Sequence, residues 1–524
     1  MKFSRTIFVR SLQKIYKKAL VENNEELKTK APNESKTINR KQFLRSTALV
    51  GASFAIPNII KGNTVKNEIA NKNISVAIIG AGISGLTAAN TLLKAGIKAT
   101  IYEASGRTGG RIYTAKDLLA NKVTTELGGE FIDSNNKDLL DLIEEFNLKI
   151  YDCVRDIKNN DLDEHIFFFG GKKRTEEEIL AEFKKITPTV QKDFDKMNDD
   201  DVKDLDKKTL TEYLNDLKVT GWFKDLLAYA NIAEFGLDAN ELGCLNFIDM
   251  IGDDTPDDFR PFGDSDERYK IVGGNQTLIE KMTKKLNKIN PINLNHQLIK
   301  ISKQGTQYSL EFKNGIKILA DYVLLTLPFS VLRDVIIDPN VNFPDEKKQQ
   351  ISQFSYGTNS KLFLGMKERI WRSQKSSGYV INEVIHDGWD SSQMQQKNTG
   401  AGGYTIFLGG KDGKELVDND ETLQKYLNQL ETILKGSKAN YSGKKSVFNW
   451  SIYPFNNGSY ACYKTGQWLR FQSKNIMKPV DNIYFAGEHC SEKFQGFMNG
   501  GAETGRMAAE NMMAKILESF IQKV

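Results

Sequence analysis

Cysteine and histidine are scarce in this 524-residue sequence, which contains only four of each. The cysteines include no C-x-x-C pair, so neither a disulfide framework nor a cysteine-ligated zinc site is indicated. No two histidines have the spacing of a histidine-ligated site, and no metal is predicted. These residues are Cys153, Cys244, Cys462, Cys490, His165, His296, His386 and His489.

An excess of charge of one sign is also missing from most of the chain. The formal net charge is +5, but residues 1–55 hold 12 Lys and Arg against 4 Asp and Glu. That balance of +8 leaves −3 for residues 56–524. Because the positive surplus lies at the N-terminus, nucleic acid is not predicted as a partner.

Long apolar runs are absent as well, so no stable membrane span is predicted. The segment nearest to one lies at residues 46–56, directly after the basic stretch 39–45, and it ends in small residues. This order is typical of a signal peptide. It resembles a twin-arginine export signal with Lys41 in the second arginine position. We therefore expect residues 1–55 to be a leader and the protein to be periplasmic or secreted, or cytoplasmic if the signal does not function.

A glycine-rich turn follows the first apolar strand of the body. Residues 74–79 predict a buried strand, and Gly80, Gly82 and Gly85 then open a helix in the pattern G-x-G-x-x-G. Gly80 permits the tight turn, Gly82 lets backbone approach a pyrophosphate and Gly85 lets the helix pack on the strand. Glu103 ends the next strand, where its carboxylate can accept from ribose hydroxyls. Together these features predict dinucleotide binding at a helix N-terminus.

Two arginines and three glycines follow within residues 106–111. Arg107 and Arg111 can neutralise a pyrophosphate, and glycines such as Gly110 let the backbone pass close to a ligand. With the preceding turn and acid, this G-R-x-G-G-R motif resembles the FAD-dependent amine oxidase superfamily. The resemblance extends over about residues 74–515.

Further segments take their roles from this resemblance. Gly128 and Gly129, in E-L-G-G-E-F-I-D, lie in the loop that passes the isoalloxazine, and Leu298 holds the backbone position that contacts adenine. At the C-terminal end a second strand and glycine-rich turn precede a helix. The resemblance implies that this region holds the ribityl-pyrophosphate through its remaining ligands, which are Gly487, Glu488 and the backbone around Met498.

The fold class implied is α/β, a Rossmann-like FAD-binding domain with an α+β substrate domain. The FAD-binding domain is discontinuous and comprises residues 70–134, 268–328 and 476–524. The substrate-binding domain comprises residues 135–267 and 329–475.

The resemblance also assigns residues to the flavin face of the site. Lys361 stands where the family has a lysine bonded through water to flavin N5, while Tyr460 and Phe497 form an aromatic pair that flanks the substrate. Trp450 is assigned to cofactor binding. Ser459 occupies the position of the cysteine that monoamine oxidases bond to flavin, so non-covalent FAD is predicted.

The implied reaction is oxidation of an amine C–N bond by hydride transfer to FAD N5, followed by imine hydrolysis and flavin reoxidation by oxygen to give hydrogen peroxide. An L-amino-acid oxidase, which needs an arginine for the substrate carboxylate, is the nearest alternative, and Arg260 or Arg268 could serve. A dehydrogenase with a cytochrome or quinone acceptor, an isoprenoid or porphyrin oxidase and a flavin-binding module without turnover are further alternatives. The partners are a small amine or amino acid and oxygen, and a homodimer stays open.

Overall fold

The computed structural model describes residues 15–16, 19, 74–198, 202–251, 266–395, 399–471 and 476–521. The expected export signal and Arg260 lie outside these residues. In the part of the chain that is described, no helix has both the length and the apolar character required to cross a membrane.

A parallel four-stranded sheet forms the base of the molecule. Its strands, in spatial order, are Ala99–Tyr102, Val76–Ile79, Tyr322–Leu325 and Ile483–Phe485. Both inner strands and the edge strand Ile483–Phe485 are buried at every position, as expected for a parallel sheet covered on both faces. The sheet joins three segments that are far apart in the sequence. This architecture confirms the predicted α/β class with a discontinuous Rossmann-like sheet.

Two helices pack together against this sheet. The first, Ile83–Lys94, follows the glycine turn, and the second, Met498–Ile521, is the last helix of the chain. A Cβ atom at Gly505 would collide with the Ser84 carbonyl oxygen, so this glycine permits the close approach of the two helices. Their contact fixes the C-terminal segment against the N-terminal turn.

The second sheet combines strands from both predicted insertions. Its seven strands, in spatial order, are Tyr441–Asn449, Ser360–Met366, Gly402–Leu408, His386–Asp390, Val380–Asn382, Ile166–Phe169 and Lys172–Arg174. Neighbours are antiparallel except for one parallel pair, Val380–Asn382 with Ile166–Phe169. The first insertion therefore contributes an edge to a sheet whose centre belongs to the second.

Helices dominate the rest of the first insertion. The longest, Glu176–Asp195, begins with a capping box between Thr175 and Glu178 and buries the apolar face that includes Phe183. The described N-terminal residues Ile15, Tyr16 and Ala19 are buried in the same hydrophobic core. The Tyr16 ring meets Phe183 edge to face, with centroids 5.4 Å apart. Part of the expected leader thus packs into the folded body.

The remaining elements complete the two layers. Their strands are Thr114–Lys116, Thr124–Glu126, Ile150–Asp152, Tyr269–Ile271, Leu298–Gln304, Gln307–Phe312, Lys317–Ala320, Ile336–Ile337, Ser355–Tyr356 and Ala461–Cys462. Their α-helices are Lys137–Glu145, Cys153–Asn159, Val202–Asp206, Leu210–Asp216, Gly221–Phe235, Cys244–Ile251, Gln276–Asn287, Phe329–Leu332, Asp345–Gln353, Ile370–Ser373, Gly410–Lys414, Asp420–Ile433 and Ser437–Asn440. Short 3₁₀ helices are Lys196–Asn198, Pro339–Val341, Trp450–Ile452 and Glu488–Cys490.

Candidate active site

A large cavity opens at the carboxyl ends of the parallel strands and extends to the seven-stranded sheet. It encloses about 1910 Å³ of space free of protein atoms, including its open mouth. Gly80, Glu103, Thr326 and Gly487, which follow the four parallel strands, all line it. Ligands of open α/β sheets bind at this edge. Every residue predicted to bind the cofactor or to act on the substrate lines the cavity except Gly85, and the alternative carboxylate ligand Arg268 does not line it either.

The glycine turn presents an uncapped helix start to the cavity. Gly82 is the N-cap residue of the helix Ile83–Lys94, and no side chain caps that end. Its first N–H groups are therefore available to an anionic ligand. Gly85 lies behind the wall, where a Cβ atom would collide with the Gly80 carbonyl oxygen. This contact agrees with the packing role expected from the sequence.

Glu103 is held in place by backbone and hydroxyl donors. One carboxylate oxygen accepts from the Ala81 N–H at 2.7 Å, and the other accepts from the Ser105 N–H and hydroxyl, both at 2.8 Å. A carboxylate has about four lone-pair sites, so acceptor capacity remains for a ligand hydroxyl.

Arg107 shapes its own loop. Its guanidinium donates to the Gly110 carbonyl at 2.6 Å and to the Thr108 and Ile112 carbonyls at 3.3 Å. It also lies over the Tyr113 ring, 3.9 Å from the centroid. These contacts give Arg107 a structural role in the cavity wall, and its pairing with a pyrophosphate stays a prediction.

Arg111 connects the two motif regions directly. Its guanidinium donates to Glu488 Oε1 at 2.8 Å and to the Ser459 carbonyl at 2.7 Å. The other Glu488 oxygen accepts from the Gly496 N–H at 2.8 Å. Two residues predicted separately as cofactor ligands therefore form one ion pair across 377 positions of sequence.

Small and aromatic residues form the wall between the two motif regions. A Cβ atom at Gly128 would collide with the Arg111 carbonyl oxygen, and one at Gly129 would come within 2.8 Å of the Met498 side chain. Trp450 donates from its indole N–H to the Leu127 carbonyl at 2.9 Å. Larger residues at either glycine would therefore displace this wall. Leu298, at the start of its strand, lines the same cavity.

Lys361 lies inside the strand Ser360–Met366 and is buried. Its ammonium group donates to the carbonyls of Glu126 and Gly128 and to Glu130 Oε2, each at 2.9 Å. The amine is thus fixed against the E-L-G-G-E loop at the cavity wall. Its water-mediated contact with flavin stays a prediction.

The loop carboxylates beside Lys361 have opposite pKa shifts. Burial raises the pKa of Glu126 to about 7, despite hydrogen bonds from Asn275 and Thr114 that favour its charged form. Burial would also raise the pKa of Glu130, but Lys270 and Lys361 outweigh it and lower the pKa to about 2. Glu130 is therefore an ionised carboxylate at neutral pH.

Tyr460 and Phe497 were predicted as an aromatic pair that flanks the substrate. Both side chains line the cavity, as does Lys361. The Tyr460 hydroxyl donates to the Ala233 carbonyl at 3.2 Å. Phe497 meets Phe494 edge to face with centroids 6.2 Å apart. Ser459 also lines the cavity and donates to Asn359 Oδ1 at 2.8 Å.

Sequence reasoning missed several lining residues. Glu130 stands beside the two predicted loop glycines, and that position was the available signal for it. Trp389, Tyr379, Asp387 and Tyr453 come from the second insertion and carry no motif that would have singled them out. Among the described residues, no group of three or more metal-ligating side chains occurs.

Comparison with known proteins gives matches along most of the chain. Residues 83–513 match the family model described as flavin containing amine oxidoreductase. Polyamine oxidase 5 of Oryza sativa subsp. japonica is 24% identical over 454 residues, which cover 83% of this chain and 87% of that protein. The Bacillus subtilis (strain 168) protein YobN, whose name proposes an L-amino-acid oxidase, is 26% identical over 471 residues, which cover 83% and 94%.

A solved structure supports the fold. Cyclohexylamine oxidase from Brevibacterium oxydans IH-35A superimposes with a TM-score of 0.73 at 18% identity, over 85% of this chain and 100% of that one.

Proposed function

This chain belongs to the flavin containing amine oxidoreductase family, and we propose that it oxidises a simple amine rather than an amino acid. It is an FAD-dependent amine oxidase, as the family and its relatives establish. One observation carries the finer proposal. A single cavity joins the glycine turn at Gly82 to Lys361, Tyr460 and Phe497, so cofactor and amine can meet in one enclosed space.

The residues of the cavity fit FAD. The uncapped helix start at Ile83 would hold the pyrophosphate through backbone N–H groups, and Glu103 would accept from the ribose hydroxyls. Gly128 and Gly129 line the cavity in the loop to which Lys361 donates, so a flat ring would lie against backbone there. When bound, FAD supplies the acceptor for the two electrons that the amine loses.

The protein's own contribution is orientation of the substrate. The rings of Tyr460 and Phe497 would flank the amine and turn its α-carbon toward the cofactor. The amine then becomes an imine, and water hydrolyses the imine to a carbonyl compound and ammonia or a smaller amine. Oxygen takes up the two electrons and two protons as hydrogen peroxide, so the reaction consumes one oxygen and one water for each amine.

Arginine contacts favour a simple amine over an amino acid. The arginines of the described cavity wall are Arg107 and Arg111, which are bonded to loop carbonyls and to Glu488. Arg268, an earlier candidate for the substrate carboxylate, pairs with Asp152 at 2.8 Å instead. A bidentate arginine site for a carboxylate therefore has no support among these residues.

The test is a panel of monoamines, diamines and L-amino acids, monitored for hydrogen peroxide and ammonia. Peroxide with an amine supports the proposal. Peroxide with L-amino acids alone contradicts it and supports the amino-acid oxidase. Loss of flavin absorbance under anaerobic conditions, without peroxide in air, contradicts oxygen as acceptor and supports a cytochrome or quinone.

Lys361→Met tests the predicted role of this lysine. We expect slower flavin reduction or reoxidation with FAD retained, because the substitution keeps an unbranched side chain only one atom shorter and removes its charge. Lys367→Met is the matched control, since Lys367 follows the same strand but donates to the Ala439 carbonyl at the surface. Equal rates in wild type and Lys361→Met would remove Lys361 from the mechanism.

FAD is proposed to bind without a covalent link. Ser459 has no thiol, and Cys462 lies in the buried strand Ala461–Cys462 rather than in the cavity lining. Acid precipitation should release the yellow cofactor into the supernatant. Flavin that stays with the pellet would contradict this proposal.

Export by a twin-arginine-type signal is also proposed, on the order of basic, apolar and small residues over 39–55. Burial of Tyr16 weighs against removal of residues 1–55, because cleavage would empty a core position. Mass spectrometry of protein recovered from the periplasm or medium tests cleavage, and a mature N-terminus near Ile56 would support it. Recovery of intact Met1 there would overturn cleavage, and the absence of the protein from both fractions would overturn export.

A further inference from the structure

A buried ion cluster lies in the wall behind Lys361. Glu130 Oε1 accepts from the Lys270 ammonium at 2.6 Å and from the Trp389 indole N–H at 3.0 Å. Glu130 Oε2 accepts from the Lys361 ammonium at 2.9 Å. The side chains of Glu130, Lys270 and Lys361 are 3–5% exposed, so three charged groups share a site almost without water.

This cluster is not electrically balanced. One carboxylate serves two ammonium groups, which gives the three side chains a combined formal charge of +1. Burial raises the pKa of the neighbouring Glu126 to about 7, so at neutral pH this carboxylate is only partly ionised and offsets only part of the surplus. A buried ion pair contributes little net stability once its desolvation is counted, and a surplus charge contributes less. Stability alone therefore does not account for the arrangement.

Glu130 also completes the contacts of Lys361. An ammonium group has three N–H donors, and Lys361 uses them on two backbone carbonyls and on Glu130. The carbonyls belong to the same loop as Glu130. Without the carboxylate, the amine would keep two neutral acceptors and lose its one charged partner, which is the stronger kind of contact.

The geometry points to Glu130 as a positioning residue that, together with Lys270, fixes the Lys361 ammonium on the cavity wall and sets the positive charge facing the flavin. The inference rests on the proposed function, because it assumes that Lys361 acts beside that ring. Charge near the ring tunes the electronics of a flavin, since the reduced form carries the greater negative charge. The arrangement predicts shifts of opposite sign when Glu130 and Lys270 are neutralised separately.

The experiment measures the midpoint potential of bound FAD in variants. Glu130→Gln removes a negative charge and should raise the potential, whereas Lys270→Met removes a positive charge and should lower it. Glu145→Gln is the matched control, because Glu145 also accepts from two lysines, Lys94 and Lys285, but does not line the cavity. Its potential should equal that of wild type.

Turnover gives a second readout. Glu130→Gln should lower kcat about tenfold with KM little changed, because a charged contact worth about 1.4 kcal/mol to the position of Lys361 is lost. If Glu130→Gln does not fold, Lys270→Met remains, and a potential equal to that of wild type in this variant would overturn the inference.

Potential shifts of the same sign in Glu130→Gln and Lys270→Met, or no shift in either, would overturn the inference. A shift in Glu145→Gln as large as theirs would overturn it as well, since the effect would not belong to the cavity wall. These measurements need only bound FAD. A wild-type protein that oxidises no amine would refute the proposed function while leaving the potentials to decide on Glu130.

Discussion

Glu488→Gln tests the ion pair that joins the two motif regions of the cavity wall. The change keeps the shape of the side chain and its acceptor oxygen for a backbone N–H, but it removes the negative charge opposite Arg111. Glu488 is 7% exposed and Arg111 25%, so the pair lies partly out of water. After the substitution, the Arg111 guanidinium keeps only neutral acceptors.

The structure sets the expected magnitude. Removal of one partner from a fully buried pair costs about 3–5 kcal/mol. Because a quarter of Arg111 still reaches solvent, water recovers part of this loss, and we expect about 2–3 kcal/mol. That difference corresponds to roughly a 30- to 140-fold change in the folding equilibrium at about 1.4 kcal/mol per factor of ten.

Two measurements check this expectation. Urea unfolding of the FAD-free protein should show a lower midpoint for Glu488→Gln, and gel filtration with excess FAD should recover protein with a lower flavin-to-protein absorbance ratio. Glu431→Gln is the control, because Glu431 also accepts from two backbone N–H groups, but at an exposed turn. A midpoint and an FAD content equal to those of wild type would refute the role assigned to the Arg111 pair.

Two further predictions concern burial. Tyr16→Ala should lower the urea midpoint by the equivalent of about 2–4 kcal/mol, because Tyr16 is fully buried against Phe183. Val417→Ala is the control, because Val417 is exposed and its loss should leave the midpoint unchanged. An unchanged midpoint in Tyr16→Ala would contradict the packing of the N-terminal residues. Burial lowers the pKa of His489 from 6.5 to about 4. Between these pH values the imidazole is protonated in the unfolded chain but neutral in the folded protein, so the free energy of unfolding should fall by up to about 3 kcal/mol as the pH drops from 6.5 to 4. His489→Gln should lose this part of the pH dependence, and an identical profile would show that the ring titrates normally.

Local sequence signals predicted the elements in which neighbouring residues determine the structure. The strand, glycine turn and helix around Gly82 could be predicted because an apolar run, three spaced glycines and a helical segment follow one another within about twenty residues. Arg111 was predicted from the chemistry of its motif and Glu488 through the resemblance, and both line one cavity. Their direct pairing was not predicted, because nothing local records a contact between residues so far apart.

The second insertion shows where sequence reasoning fails. Its strand Val380–Asn382 pairs with Ile166–Phe169 from the first insertion, in the one parallel register of the seven-stranded sheet. Cross-strand pairing depends on packing against distant neighbours rather than on local propensity. Trp389 and Tyr379 line the cavity because the sheet brings them there, so their place in the site could not be predicted from the sequence. The ion pair of Lys270 could not be predicted either, because its partner Glu130 is 140 positions away in the sequence.

The two ion clusters of the cavity wall differ in electrostatic character. Arg111 and Glu488 carry opposite charges and balance each other, whereas Lys361 shares Glu130 with a second lysine, which leaves a formal surplus of positive charge. We therefore expect the Lys361 cluster to stabilise a negative charge that develops during turnover more strongly than the balanced pair does. Because each cluster joins segments far apart in the chain, this asymmetry exists only after both sheets have assembled around the cavity.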